Sequence, residues 1–569
     1  MSSTNTTIVA VGATGFYILI WALLRLTQDA REPPAVENAV PFLSPIVGMQ
    51  KKGADYHKDL HNKHKLPIHT LRLPGFRLYV VNDTALIPII QRQSKTLSIS
   101  PMVVRVFSHF MGVSPQALNI MGCDPMEDHG FVHQITLQTV EGIKPGPNLD
   151  ALVARAAGYL SNSIDAIRTI NKPMSNSISA ANTTKPLLVV NMFEWTTTEI
   201  MLATTNAVYG RRNPFKDPSV QAAYREYEAG LLPLITGFLP SLTAPKSLKA
   251  RETIVEAFVK YYEEGGLGDK SSSVYAQNRH DYPLQLGISV RDIAKLEAGG
   301  SFGLLGNTMP ATFWTIYHIF SDPGLLQKCR AEVQGAVHEK DGQSYVDISY
   351  IKASCPLIVA TMQETFRFHS VGMSARAVVD DHLLDGKYLL KKGATLLIPS
   401  NVQHELPEAW GEDFDKFRPT RFIRDASSRK KYNSTAFRAF GGGVNLCPGR
   451  HFASTEILAF ASILLLQFDM VPTAGWDTLG YKQTNASFRV PSRDVRVQLI
   501  PRADAATRGW KPVFSSPGKP MELTTTSTDN DALGNEPASV LSLGWVGSLV
   551  LEVPRDPAMR IRVRGPGTL

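Results

Sequence analysis

Residues 440–453 read Phe440-Gly441-Gly442-Gly443-Val444-Asn445-Leu446-Cys447-Pro448-Gly449-Arg450-His451-Phe452-Ala453. One cysteine is wrapped in glycines, flanked by Phe440 and Leu446, and followed by an apolar run that reads as a helix. A thiolate at that point is stabilised by the free N–H groups and the dipole of the helix start. Gly441, Gly442, Gly443 and Gly449 let backbone lie close to a flat ligand, with no Cβ in the way. The competing reading is a small buried hydrophobe, the common state of an unpaired cysteine.

Two upstream segments choose between these readings. In Gln363-Glu364-Thr365-Phe366-Arg367-Phe368, Glu364 and Arg367 are three apart and share a helix face. A surface ion pair would contribute little. Val359, Met362 and Phe366 are apolar, which points to burial, and a buried pair needs further hydrogen bonds. Arg421, in Arg418-Pro419-Thr420-Arg421-Phe422, is placed to supply them.

In this order the three segments resemble the cytochrome P450 family. Phe440, Gly443, Cys447 and Gly449 match its Phe-x-x-Gly-x-(Arg/His)-x-Cys-x-Gly loop. Glu364 and Arg367 match its Glu-x-x-Arg, and Pro419, Arg421 and Phe422 its Pro-x-Arg-Phe. The resemblance covers about residues 30–500. It implies a mainly α fold with small β-sheets and heme b held by the Cys447 thiolate. It also implies a structural Glu364–Arg367–Arg421 network bracing the heme loop. A thiolate on heme iron favours O–O cleavage.

A third motif departs from the family. Its (Ala/Gly)-Gly-x-(Asp/Glu)-Thr becomes Gly303-Leu304-Leu305-Gly306-Asn307-Thr308, with Gly306 at the acid position and Asn307 at the threonine position. The continuation to Trp314 is similar to sterol 7α-hydroxylases and prostacyclin synthase. Gly303, Gly306, Asn307 and Thr308 are the expected distal residues. Ser289 to Phe320 reads as one long helix, kinked by Pro310. Asn307 has a donor amide but no labile proton, so Thr308 or an ordered water is left to relay protons. The plainer reading of Asn307 is a helix-capping or kink-satisfying amide.

For the heme carboxylates, the loop's usual Arg/His is Asn445, and Arg376 matches the family's other carboxylate-binding arginine. His129 and His133 stand where the family carries Trp-x-x-x-Arg. They are candidate hydrogen-bond donors or ordinary surface residues.

Composition bounds the rest. The chain has 569 residues, 43% hydrophobic and 19% charged, enough for a large core. Net charge is +8, and no basic block is interleaved with aromatics, so nucleic acid is not an expected partner. Cys123, Cys329, Cys355 and Cys447 form no C-x-x-C pair, so neither a zinc site nor a disulfide framework is indicated. No flavin or nicotinamide fingerprint is present, so electrons must arrive from outside the chain; the resemblance implies NADPH through a separate reductase. Arg424, Arg429, Lys430, Lys431, Arg438 and Arg450 are a candidate docking patch for it or an ordinary solvated basic stretch.

Ile8 to Leu24 is an uncharged, mostly apolar run followed by Arg25 and Arg31. It reads as a single-pass anchor in residues 1–29, with the body facing the cytosol at the endoplasmic reticulum. A cleaved signal peptide is the alternative, but no positive n-region precedes the run. Asn5-Thr6-Thr7 is a glycosylation sequon on the luminal side. Residues 30–48 form a proline-rich linker, 49–502 the catalytic domain, and 503–569 a disordered tail.

The expected activity is insertion of one oxygen atom of O2 into a lipophilic substrate, on a sterol, terpenoid or secondary-metabolite scaffold. Substrate contacts are expected around Pro101–Asn119 and Tyr227–Leu242. The altered distal motif leaves two alternatives open. One is an oxygen-independent isomerase or dehydratase acting on a peroxide; the other is a non-catalytic heme-bearing lipid-binding protein.

Overall fold

The structure is a computed structural model that describes residues 3–36, 40–170, 188–237, 239–423, 433–482, 487–503 and 510–515. Helices dominate, with small sheets at the margins. The main sheet has five strands in the order Ile68–Leu73, Phe76–Val81, Thr395–Pro399, Met373–Val378, Leu97–Ser98. The first two are the hairpin read from the sequence. Leu73 pairs with Phe76, and Gly75 takes the positive φ of 69° that the tight turn requires.

The core lies between the apolar helices Met192–Tyr209, Thr308–Ser321, Pro356–His369 and Arg450–Gln467. Arg450–Gln467 is buried on nearly every face. This explains why its sequence is apolar all round rather than striped.

Three sequence expectations change here. The segment expected as one long helix is two, Val290–Leu305 and Thr308–Ser321, parted at Gly306–Asn307. Pro310 has no N–H, so the carbonyl of Gly306 loses its i+4 donor, and the helix breaks a turn earlier than the proline itself. The linker is partly docked. Thr70 N–H donates to the Pro34 carbonyl at 2.8 Å, and Glu32 accepts from Tyr79 at 2.7 Å and Arg77 at 3.1 Å.

The third change is in the tail, where Trp510–Val513 is a strand parallel to Gln343–Asp347. Trp510 is buried, and Ser515 N–H donates to Asp347. The remainder of the tail, from 516 on, lies outside the described residues. At the other end the helix Ser3–Thr27 exposes Phe16, Ile18, Leu19 and Leu23. Among the described residues no helix is long and apolar enough to cross a membrane.

Candidate active site

The cysteine loop is closed by its own backbone. Cys447 N–H donates to the Phe440 carbonyl at 2.9 Å, and Arg450 Nη1 donates to the Cys447 carbonyl at 3.0 Å. Gly443 sits at φ 60°, and a Cβ there would press on Gln91. A Cβ on Gly442 would overlap Arg438 and Gln91. The glycines are therefore needed for close approach as well as for the turn. Helix Arg450–Gln467 then starts with Gly449 at its cap.

Cys447 faces a cavity of about 1390 Å³ of empty space, its mouth included. Phe440, Asn445 and Gly449 line it with the cysteine, and so do Gly303, Asn307 and Thr308. The helix break at Gly306–Asn307 thus falls at the same cavity as the sulfur. Asn307 stands at the cap position of the second helix, yet its side chain makes no cap bond, and its buried Oδ1 has no partner among the described residues. The capping role is therefore not the one it plays. The Thr308 hydroxyl donates to the Leu304 carbonyl at 3.1 Å.

Glu364, Arg367 and Arg421 come together behind the loop. Arg367 holds Glu364 with two bonds of 2.7 Å and donates to the His404 carbonyl at 2.8 Å. Arg421 Nε reaches Glu364 at 3.3 Å, its Nη1 reaches Asp413 and the Trp410 carbonyl at 2.6 Å, and its Nη2 reaches the Asp413 carbonyl. The Arg418 N–H adds a donor to Glu364 at 2.9 Å. The Glu364 and Arg367 side chains are at most 1% exposed. Helix Pro356–His369 transmits this rigidity to the loop, because Phe366 packs edge-on against Phe440 at 4.9 Å.

Two sequence readings change at the site. Arg438, assigned to a docking patch, is 5% exposed and lines the cavity, with its N–H donating to His404 Nε2 at 2.8 Å. The alternation Phe437-Arg438-Ala439-Phe440, a lone cation between apolar residues, is the signal that marks it as inward. Of the same patch, Arg424, Arg429, Lys430 and Lys431 lie outside the described residues. The histidine pair is the second correction. Gly130 caps the helix Phe131–Glu141, so His129 precedes it and cannot share a face with His133. His129 is exposed and pairs with Asp124 at 3.2 Å, His133 lies 4.0 Å from Asp128, and neither lines the cavity. That helix presents Thr139 to the cavity instead.

Arg376 lies in strand Met373–Val378, fully buried, with Nη1 on the Leu97 carbonyl at 3.1 Å and Nε unpartnered. Burial, and secondarily the Arg438 charge, push its pKa down to about 10. Arg376 has no carboxylate among the described residues, so this buried cation needs an anion from outside the chain.

The chain is 32% identical over 521 residues to cytochrome P450 monooxygenase nodJ of Hypoxylon pulicicidum, covering 88% of this chain and 96% of that one. It is 27% identical over 327 residues to the bifunctional cytochrome P450/NADPH–P450 reductase ALT2 of Alternaria alternata, covering 51% of this chain and 28% of that one. The family model for cytochrome P450 matches residues 303–495. The solved structure of retinoic acid bound cyanobacterial CYP120A1 shares the fold, with a TM-score of 0.62 at 17% identity over 84% of this chain and 100% of that chain.

The chain belongs to the cytochrome P450 family, and the enzyme is an oxygenase. The family's cofactor is heme b with a cysteine thiolate ligand. The residues present fit that group. Cys447 offers a sulfur to the iron, the glycine-lined loop clears a flat face, and the Arg376 and Arg438 cations suit two carboxylates.

Proposed function

We propose that this oxygenase inserts one atom of O2 into a lipophilic substrate, a sterol, terpenoid or similar secondary-metabolite scaffold, using electrons from NADPH through a reductase. The observation that carries the reading is one cavity lined both by Cys447 and by the broken helix at Asn307. Heme bound there supplies oxygen activation. Cys447 holds and tunes it, Arg376 and Arg438 anchor its carboxylates, and Asn307 orders a water by its amide. The Thr308 hydroxyl, already on Leu304, passes a proton by rotating toward that water. Mostly apolar walls select the substrate class.

The fused relative named for a P450 and a reductase supports NADPH as the electron source. The exposed apolar side chains of Ser3–Thr27 support a membrane anchor, and Arg25 and Arg31 after the apolar run support a body on the cytosolic side of the endoplasmic reticulum, with the Asn5 glycosylation sequon in the lumen. Turnover with reductase, NADPH and isotopically labelled O2 tests the proposal. One labelled oxygen in the product is expected; unlabelled product would reject it.

A second reading, isomerisation or dehydration of a peroxide, is favoured by the missing acid beside Asn307. Product formed from a hydroperoxide without NADPH or O2 is its signature.

A further inference from the structure

A side chamber of about 630 Å³ of empty space shares Thr139, Tyr275 and Gly303 with the main cavity. Gly303 borders both, and a Cβ placed there meets nothing within 4 Å, so the space beside it is open and can serve as a doorway. The chamber walls are largely apolar, with Phe107 and Met111 from the segment expected to contact substrate. One wall is different. Tyr275 and Arg279 lie one turn apart on helix Val274–Gln285, with the guanidinium 5.5 Å from the ring centre.

Arg279 Nε binds Glu297 at 2.8 Å, Nη2 binds the Leu296 carbonyl at 3.2 Å, and Glu297 takes its other bond from Tyr209 at 2.7 Å. Gly300 permits this placement, because a Cβ on it would overlap Arg279 Nη2. The ion pair accounts for two guanidinium nitrogens and leaves Nη1 over. Among the described residues, Arg279 Nη1 and the Tyr275 hydroxyl make no protein hydrogen bond. Both residues line the chamber, so these two donors are left for whatever fills it.

We propose that this wall binds a neutral oxygen acceptor, a carbonyl or ester oxygen, at the far end of an apolar polycyclic substrate whose other end reaches through the Gly303 doorway toward Cys447. The acceptor is neutral because Arg279 is already balanced by Glu297. A carboxylate would be an uncompensated buried charge. The inference rests on the proposed monooxygenase reading and deepens it by naming a recognition element for the substrate.

The test titrates the holoenzyme with polycyclic terpenoid hydrocarbons, each paired with its monoketone and its carboxylic acid. Binding is read by equilibrium dialysis and by the shift of the heme absorption band. The ketone is expected to bind about tenfold or more tighter than its hydrocarbon, the scale of a hydrogen bond to a charged donor. That advantage is expected to shrink to about threefold or less in R279M/E297Q, which removes both charges together, and to fall partway in Y275F. The inference is overturned if no ketone outbinds its hydrocarbon, including the case where none binds. It is also overturned if both variants keep the full advantage, or if the acid binds tightest. Dialysis does not depend on heme ligation, so a failure here is distinct from a failure to incorporate oxygen from O2.

Discussion

Around Glu364, three cationic or N–H donors converge on one carboxylate, and its partner Arg367 is closed by backbone carbonyls. Around Asn307, a buried amide oxygen has no partner and the helix itself is interrupted. Phe366, on the helix that carries Glu364, lines the same cavity as Asn307. The first region is over-determined, so its parts hold geometry and have no freedom to react. The second keeps hydrogen-bonding capacity unspent, as a region that must order water and oxygen requires.

Substitutions break or sharpen this contrast. Glu364→Ala leaves the buried Arg367 without a carboxylate, while Arg421 keeps Asp413, and is expected to cost about 3–5 kcal/mol; chemical denaturation with heme retention as readout checks it. Glu456, nine residues beyond Cys447, is buried and bonded by Thr204 at 2.9 Å to each carboxylate oxygen. Burial raises its pKa to about 8 from the ordinary 4.5. Its folded pKa lies above its unfolded one, so its contribution is full below pH 4.5 and is lost as pH rises to about 8. Glu456→Gln is expected to flatten that slope, about 1.4 kcal/mol per pH unit, in denaturation curves taken across the range.

Arg376→Met is expected to weaken heme retention by about 1.5–3 kcal/mol, the scale of a charge-assisted hydrogen bond, while the apoprotein melts no lower. Competition of the holoprotein with apomyoglobin for heme measures it. Asn307→Ala has the smallest expected effect on stability, within about 0.5 kcal/mol, because no protein hydrogen bond is lost. It is nonetheless expected to lower product formed per NADPH consumed. A large stability loss at Asn307 would erase the contrast between the two regions.

Much of the rigid region was legible in the sequence, because its determinants are local. Glu364 and Arg367 sit at helical spacing among apolar residues, and the glycines around Cys447 announce close approach. What stayed hidden depends on long-range packing. Arg438 reads as a surface cation until the sheet and His404 are seen to enclose it. His129 and His133 have the right spacing but straddle a helix start. Pro310 signals a disturbance, but the place where the helix parts is set by which carbonyl loses its donor. The Trp510–Val513 strand has no signature of its own, since its partner Gln343–Asp347 lies far back in the chain. The Arg279–Tyr275 wall needed the fold to bring Glu297, Leu296 and Tyr209 around one guanidinium.

The absorption spectrum of the reduced, CO-bound protein tests the sulfur–iron bond at Cys447 most directly. The native protein is expected to show the red-shifted Soret band of thiolate-ligated heme, and Cys447→Ser to lose it while the chain stays folded. A native protein that binds heme stoichiometrically without that band, or a Cys447→Ser variant that keeps it, would contradict the account.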